Sequence, residues 1–179
     1  MELIGVRVDM AGNVPIVLLR EPDGMKRVLP IYIGGPEAAS IQWGMEGREP
    51  PRPLTHDLIL NMLGALGAVV DRIEITTVDD GVFFADVHLL TRTGPVTISA
   101  RPSDAIALAV RAGCHVFCDD GVLDEAGRHL SPGDPLLGEE SDDLDDTDDL
   151  ELPTDDDSAE ILGEFRDFIE NINPEDFQQ

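Results

Sequence analysis

Residues 68–100 read AVVDRIEITTVDDGVFFADVHLLTRTGPVTISA. Three runs rich in Val, Ile, Phe and Thr, at 68–77, 81–90 and 95–100, are separated by Asp80-Gly81 and Thr93-Gly94. Dipeptides of that kind close tight hairpins, because Gly accepts positive φ without steric cost. The stretch therefore predicts a meander of three antiparallel strands.

Helices flank the meander. Upstream, Leu58, Ile59, Met62, Leu63 and Leu66 recur at helical spacing. Thr55 is a candidate N-cap, Asp57 suits the positive end of the helix dipole, and Gly67 supplies a stop. Downstream, residues 102–112 predict a helix closed by Gly113, followed by a short strand at 115–118. The N-terminal part reads as strands at 3–8, 15–19 and 28–33, then a helix opened by Gly34-Gly35-Pro36 and stopped near Gly47. Pro30 cannot donate to a ladder, so its strand belongs at an edge or a bulge. Strands in runs, broken by helices, predict an α+β class: a mixed, largely antiparallel sheet with about three packed helices.

Composition divides the chain. Residues 1–130 hold 11 Arg and Lys against 18 Asp and Glu, a net −7. Residues 131–179 hold one Arg against 19 acids, a net −18. With six Phe, one Tyr and one Trp, a core in the first part must be built mostly from Val, Ile, Leu and Ala. The expected organisation is a domain at 1–130, an acidic disordered linker at 131–158, and an amphipathic helix at 159–173. The linker offers almost nothing apolar to offset its ordering entropy. The helix places Ile161, Leu162, Phe165, Phe168, Ile169 and Ile172 on one stripe and ends before Pro174. Its acidic polar face argues against membrane attachment.

MELIGVRVDM lacks the basic flank and apolar run of a signal peptide, and no apolar run approaches the roughly 20 residues that span a bilayer. Cys114 and Cys118 are too few for a disulfide framework and lack the second pair of a zinc site. The expected localisation is cytoplasmic. No P-loop, G-x-G-x-x-G, G-x-S-x-G or H-E-x-x-H is present.

Two segments echo each other. Arg52-Pro53-Leu54-Thr55-His56-Asp57 and Arg101-Pro102-Ser103-Asp104 each set Arg-Pro, a hydroxyl residue and an Asp at the start of an apolar helix. Helix N-termini present free N–H groups to anions, Arg offers a planar fork for phosphate, and Asp is an oxygen ligand for a divalent cation. These are the parts a metal-assisted phosphodiesterase would need. Each of these residue types is equally an ordinary cap or ion-pair partner. His56 is a candidate proton carrier near neutral pH. Glu37, in the first turn of its own helix, either complements the dipole or adds a third acidic ligand.

The segments Leu29-Pro30-Ile31-Tyr32-Ile33-Gly34 through Glu37-Ala38, Arg52 through Leu58, and Ala100-Arg101-Pro102-Ser103-Asp104 through Ala109 resemble the bifunctional nuclease domain family, over roughly residues 1–128. The resemblance implies a nuclease, acting on DNA, RNA or both and assisted by Mg²⁺ or Mn²⁺. It marks Glu37, Arg52, Thr55, His56, Asp57, Arg101, Ser103 and Asp104 as motif positions; taken with the doubled Arg-Pro motif, the expected catalytic residues are His56, Asp57 and Asp104. Arg52, Thr55, Arg101 and Ser103 would bind substrate, and Glu37, Asp57 and Asp104 would hold the metal. Ser99 stands where many relatives carry an acid, which removes one candidate ligand. The alternative function is a non-catalytic regulatory protein that binds a partner through its acidic tail and terminal helix. A homo-oligomer is expected, because exposed strand edges need covering.

Overall fold

Every apolar residue of the run Ile16–Leu19 is fully buried, which a strand achieves only when both its faces are covered. That run lies in β2 (Val14–Arg20), the middle of an antiparallel sheet with β1 (Glu2–Asp9) and β3 (Val28–Tyr32), in the order β1-β2-β3. Pro30 therefore sits on an edge strand, as its missing N–H requires. The structure, a computed structural model, describes residues 1–9, 12–48, 50–130 and 136, all within one unit, Met1–Glu139. The acidic linker, apart from Leu136, and the terminal helix expected from sequence lie outside the described residues.

Helix α1 (Gly35–Met45) follows, then α2 (Thr55–Leu66). The meander forms β4 (Val69–Asp79), β5 (Val82–Thr91) and β6 (Gly94–Ala100). Asp80 and Gly81 both have positive φ, 48° and 79°, as a two-residue hairpin of this twist demands. Helix α3 (Pro102–Ala112) crosses back so that β7 (His115–Cys118) pairs parallel to β4. The second sheet is thus mixed, in the order β6-β5-β4-β7. A fourth short helix, α4 (Asp120–Ala126), follows β7 and buries Val122 and Leu123. The α+β class is as expected, with two sheets in place of one and four helices among the described residues.

One apolar cluster joins the layers. Val17, Leu19, Leu29 and Ile31 of the first sheet meet Ile73, Ile75, Val87 and Leu89 of the second, with α1 and α3 between. Helix α3 contributes Ala105, Ile106, Ala107, Leu108 and Ala109, all buried. Three alanines let its backbone approach closely, and Ile106 fills the space this leaves. The opposite face of β2 packs Ile16 and Leu18 with Val28, against Ile4, Leu130 and Leu136. Helix α2 differs from the others: none of its residues is fully buried, and Leu58, Met62 and Leu66 form an exposed i, i+4, i+8 stripe. Only Leu60 and Leu63 pack partly on the core. Gly67 ends it in the left-handed conformation, at φ 75°.

Candidate active site

The three helices that follow β3, the Pro-rich segment and β6 begin near one another. Between them and the sheet strands β5 and β6 lies a cavity of about 970 Å³. Apolar side chains form its walls, among them Trp43, Ile59, Leu63, Leu89 and Ile98. Glu37, Ser40, His56, Arg101 and Asp104 supply its polar end.

These polar residues are bonded to one another. Arg101 Nε donates to Asp104 Oδ2 at 2.7 Å, and its Nη2 donates to Oδ1 at 3.0 Å. Its Nη1 pairs with Glu37 Oε1 at 2.9 Å. Three of the five guanidinium N–H groups are thereby used, and the side chain remains 66% exposed, so two donors stay available to a ligand. The bidentate bond to Arg101 holds the Asp104 carboxyl below the usual carboxylate range, with partial burial opposing it and His56 adding a smaller pull downward. Asp104 thus stays ionised into the acid range where a free carboxyl would protonate. The same hydrogen bonds, from Asp104 first and then Glu37, hold the Arg101 guanidinium firmly charged.

His56, the second residue of α2, is held at both ring nitrogens. Nδ1 lies 2.9 Å from Ser40 Oγ, and Nε2 lies 3.5 Å from Asp104 Oδ1. Its side chain is only 12% exposed, so the ring is fixed by its partners and not by water. Ser40 comes from α1, His56 from α2 and Asp104 from α3, and the relay therefore forms only when the three helices are packed.

The other residues singled out from sequence fall elsewhere. Thr55 lines the cavity, but helix α2 begins at Thr55 with Leu54 as its N-cap, so the expected Thr55 cap does not form. Asp57 does the capping: its Oδ2 accepts the Leu54 N–H at 3.0 Å. Its Oδ1 accepts from Arg111 Nε at 2.7 Å. Asp57, Arg52 and Ser103 are not among the cavity-lining residues; Arg52 is exposed and Ser103 is buried.

This placement bears on metal binding. Glu37 and Asp104 converge on one guanidinium, while both Asp57 oxygens are committed to Leu54 and Arg111. Among the described residues no group of three or more His, Cys, Asp or Glu is placed to hold a cation. The trio Glu37, Asp57 and Asp104 does not fit a Mg²⁺ or Mn²⁺ site, which requires oxygens converging on one point. Cys114 and Cys118 are free and half-buried, and burial pushes the Cys118 thiol up to about 12, which leaves it unreactive.

Sequence reasoning missed Ser40 and Arg111. Ser40 lies three residues after Glu37, the spacing that puts two side chains on one helix face, and that was its only local signal. Arg111 sits in the last turn of α3, where a cation complements the dipole. Its pairing with Asp57 ties the start of α2 to the end of α3, and both side chains are largely shielded, at 9% and 27% exposed. Asp57→Ala should destabilise the fold by about 1–3 kcal/mol, since it removes a cap and leaves Arg111 unpaired. Urea unfolding checks this, through a lower midpoint at unchanged slope. A shift of under about 0.5 kcal/mol would make the Asp57–Arg111 pair incidental.

An α+β domain whose three helix starts converge on one polar-ended cavity is the class that fold and site define. The family model of the bifunctional nuclease domain matches residues 17–131, and the chain belongs to that family. Uncharacterized proteins from two strains of Mycobacterium tuberculosis are each 38% identical over 178 residues, covering 99% of this chain and 97% of theirs. Bifunctional nuclease 2 of Arabidopsis thaliana is 28% identical over 109 residues, 56% of this chain and 33% of that protein. Among the described residues no helix is long and apolar enough to cross a membrane.

Proposed function

We propose that this protein is a cytoplasmic nuclease that cleaves phosphodiester bonds of DNA or RNA in the cavity between α1, α2 and α3. The observation that carries the reading is a histidine fixed at both nitrogens beside an exposed arginine with two spare donors. Membership of the bifunctional nuclease domain family supports it. In this reading Arg101 contacts the scissile phosphate, as a planar fork suits two phosphate oxygens. His56 moves the proton, and Asp104 fixes its ring and stabilises the charged imidazolium. Thr55 lines the same cavity, and Asp57 holds the start of α2 in place. Because the carboxylates do not assemble a cation site, the proposed chemistry rests on protein groups.

The test is cleavage of labelled DNA and RNA oligonucleotides by the full chain, in Mg²⁺, in Mn²⁺ and in EDTA. Arg101→Ala should lower the rate by about 10²–10³-fold, the size expected for a lost charge-stabilising donor. Equal cleavage by the variant, or none by the natural chain under any condition, would remove the reading.

One observation favours the second reading, a non-catalytic binding protein. Arg101 is matched by two carboxylates and the cavity walls are apolar, so the site is not a strongly positive groove of the kind that neutralises a phosphate backbone. Absence of both oligonucleotide cleavage and oligonucleotide binding would select it. Self-association belongs to the proposal in either case, and the uncovered apolar stripe of α2 supports it.

A further inference from the structure

A nucleophile has to attack phosphorus in any such cleavage, and the cavity holds a candidate that the sequence motifs do not include. Ser40 lines the cavity with its Oγ 2.9 Å from His56 Nδ1. On the far side of the ring, His56 Nε2 lies 3.5 Å from Asp104 Oδ1. A hydroxyl within hydrogen-bond reach of an imidazole, itself oriented by a third, ionised group, is the general arrangement of an activated nucleophile. In the tautomer with its proton on Nε2, facing Asp104, His56 turns the Nδ1 lone pair to the Ser40 hydroxyl. Arg101, bonded to the same Asp104, lines the same cavity and keeps two N–H groups unused.

We propose that Ser40 is a catalytic nucleophile, forming a covalent phosphoserine diester with half of the cleaved substrate. Its substrate class rests on the nuclease reading; the serine chemistry rests on geometry alone. In the first step the Ser40 Oγ–H proton passes to His56 Nδ1 while Oγ bonds to phosphorus. The bond from phosphorus to the leaving nucleoside oxygen breaks, and that oxygen takes the proton from Nδ1. In the second step His56 takes a proton from water, and the water oxygen bonds to phosphorus. The P–Oγ bond breaks, and Ser40 recovers a proton from Nδ1. The sum is one phosphodiester and one water giving one monoester and one alcohol, with no redox partner. A nucleophile carried by the protein does not require the 2′-hydroxyl of RNA, so the sugar is not a determinant and DNA is cleaved as well.

Two measurements on the full chain test this. A fluorophosphonate probe, which loses fluoride to an activated serine, should give one adduct mapped by mass spectrometry to Ser40. Labelling should vanish in Ser40→Ala and slow by about 10²–10⁴-fold in His56→Ala. RNA cleavage should leave linear phosphate ends without a 2′,3′-cyclic phosphate, and Ser40→Ala should cut the rate by on the order of 10³-fold or more. Cleavage of oligonucleotides with no Ser40 adduct, or with cyclic ends, overturns the serine assignment and leaves the nuclease reading standing. So does a Ser40→Ala rate near that of the natural chain, since a serine that merely steadies the ring would give this. An adduct on Ser40 without cleavage of DNA or RNA supports the nucleophile and removes the nuclease reading. The mapping of the adduct to Ser40 uses the unaltered chain, so that readout does not depend on whether any variant folds.

Discussion

Replacing His56 with alanine should lower oligonucleotide cleavage by about 10²–10⁴-fold, the usual worth of a positioned proton carrier. The size follows from how the ring is placed. Nδ1 meets Ser40 at 2.9 Å and Nε2 lies 3.5 Å from Asp104, so the ring is placed to pass a proton between its neighbours. Binding should change far less than rate, because Arg101 keeps its bonds to Glu37 and Asp104 without the imidazole. Single-turnover assays separate the two effects: the chemical step collapses while half-saturation moves little. His56→Gln is the sharper control. It preserves much of the bulk and hydrogen bonding but does not carry a proton, so it should be nearly as inactive as alanine. Retention of most activity in His56→Gln would show that the ring only fills space between α1 and α3, and proton transfer would have to be sought elsewhere.

That ring position also marks where sequence reading succeeds and where it stops. The Asp80-Gly81 hairpin, the stops at Gly67 and Gly113 and the edge position of Pro30 are local matters, set by φ or by a missing donor, and each was legible. His56, Arg101 and Asp104 were legible as candidates because two Arg-Pro helix starts repeat one pattern, Glu37 because it opens a helix of its own, and the four line one cavity. What local pattern cannot give is which oxygen faces which cation. Asp57 and Asp104 occupy equivalent places in the repeated motif, yet one bonds the Arg of its own motif and the other an Arg 54 residues away. The difference comes from packing: the end of α3 lies beside the start of α2, and nothing in either segment announces that neighbour. Ser40 was invisible for the same reason, being an unremarkable serine inside a helix until α2 is laid against α1.

Ile106→Ala should cost about 2–5 kcal/mol, a large part of the roughly 5–15 kcal/mol that holds a domain of this size together. Ile106 is fully buried and is the bulkiest residue of α3 with no exposure at all, flanked by Ala105, Ala107 and Ala109. Alanines have no flexible atoms to swing into the space it would vacate, and both sheets are fixed by their ladders, so the cavity would stay largely open. At roughly 2–4 °C for each kcal/mol, the melting temperature should fall by about 10 °C. Met62→Ala provides the contrast: it also shortens a large side chain, but one 57% exposed on α2, and should change stability by no more than about 0.5 kcal/mol in the monomer. The loss at Ile106 should carry into function, because Asp104 sits two residues away on the same helix and the relay needs α3 seated against α1 and α2. At a temperature where Ile106→Ala is still folded, its cleavage rate should fall while the Met62→Ala rate does not. Equal stability of the two variants would mean that α3 is not the keystone of the core, and that the seating of Asp104 is set by its ion pair with Arg101 alone.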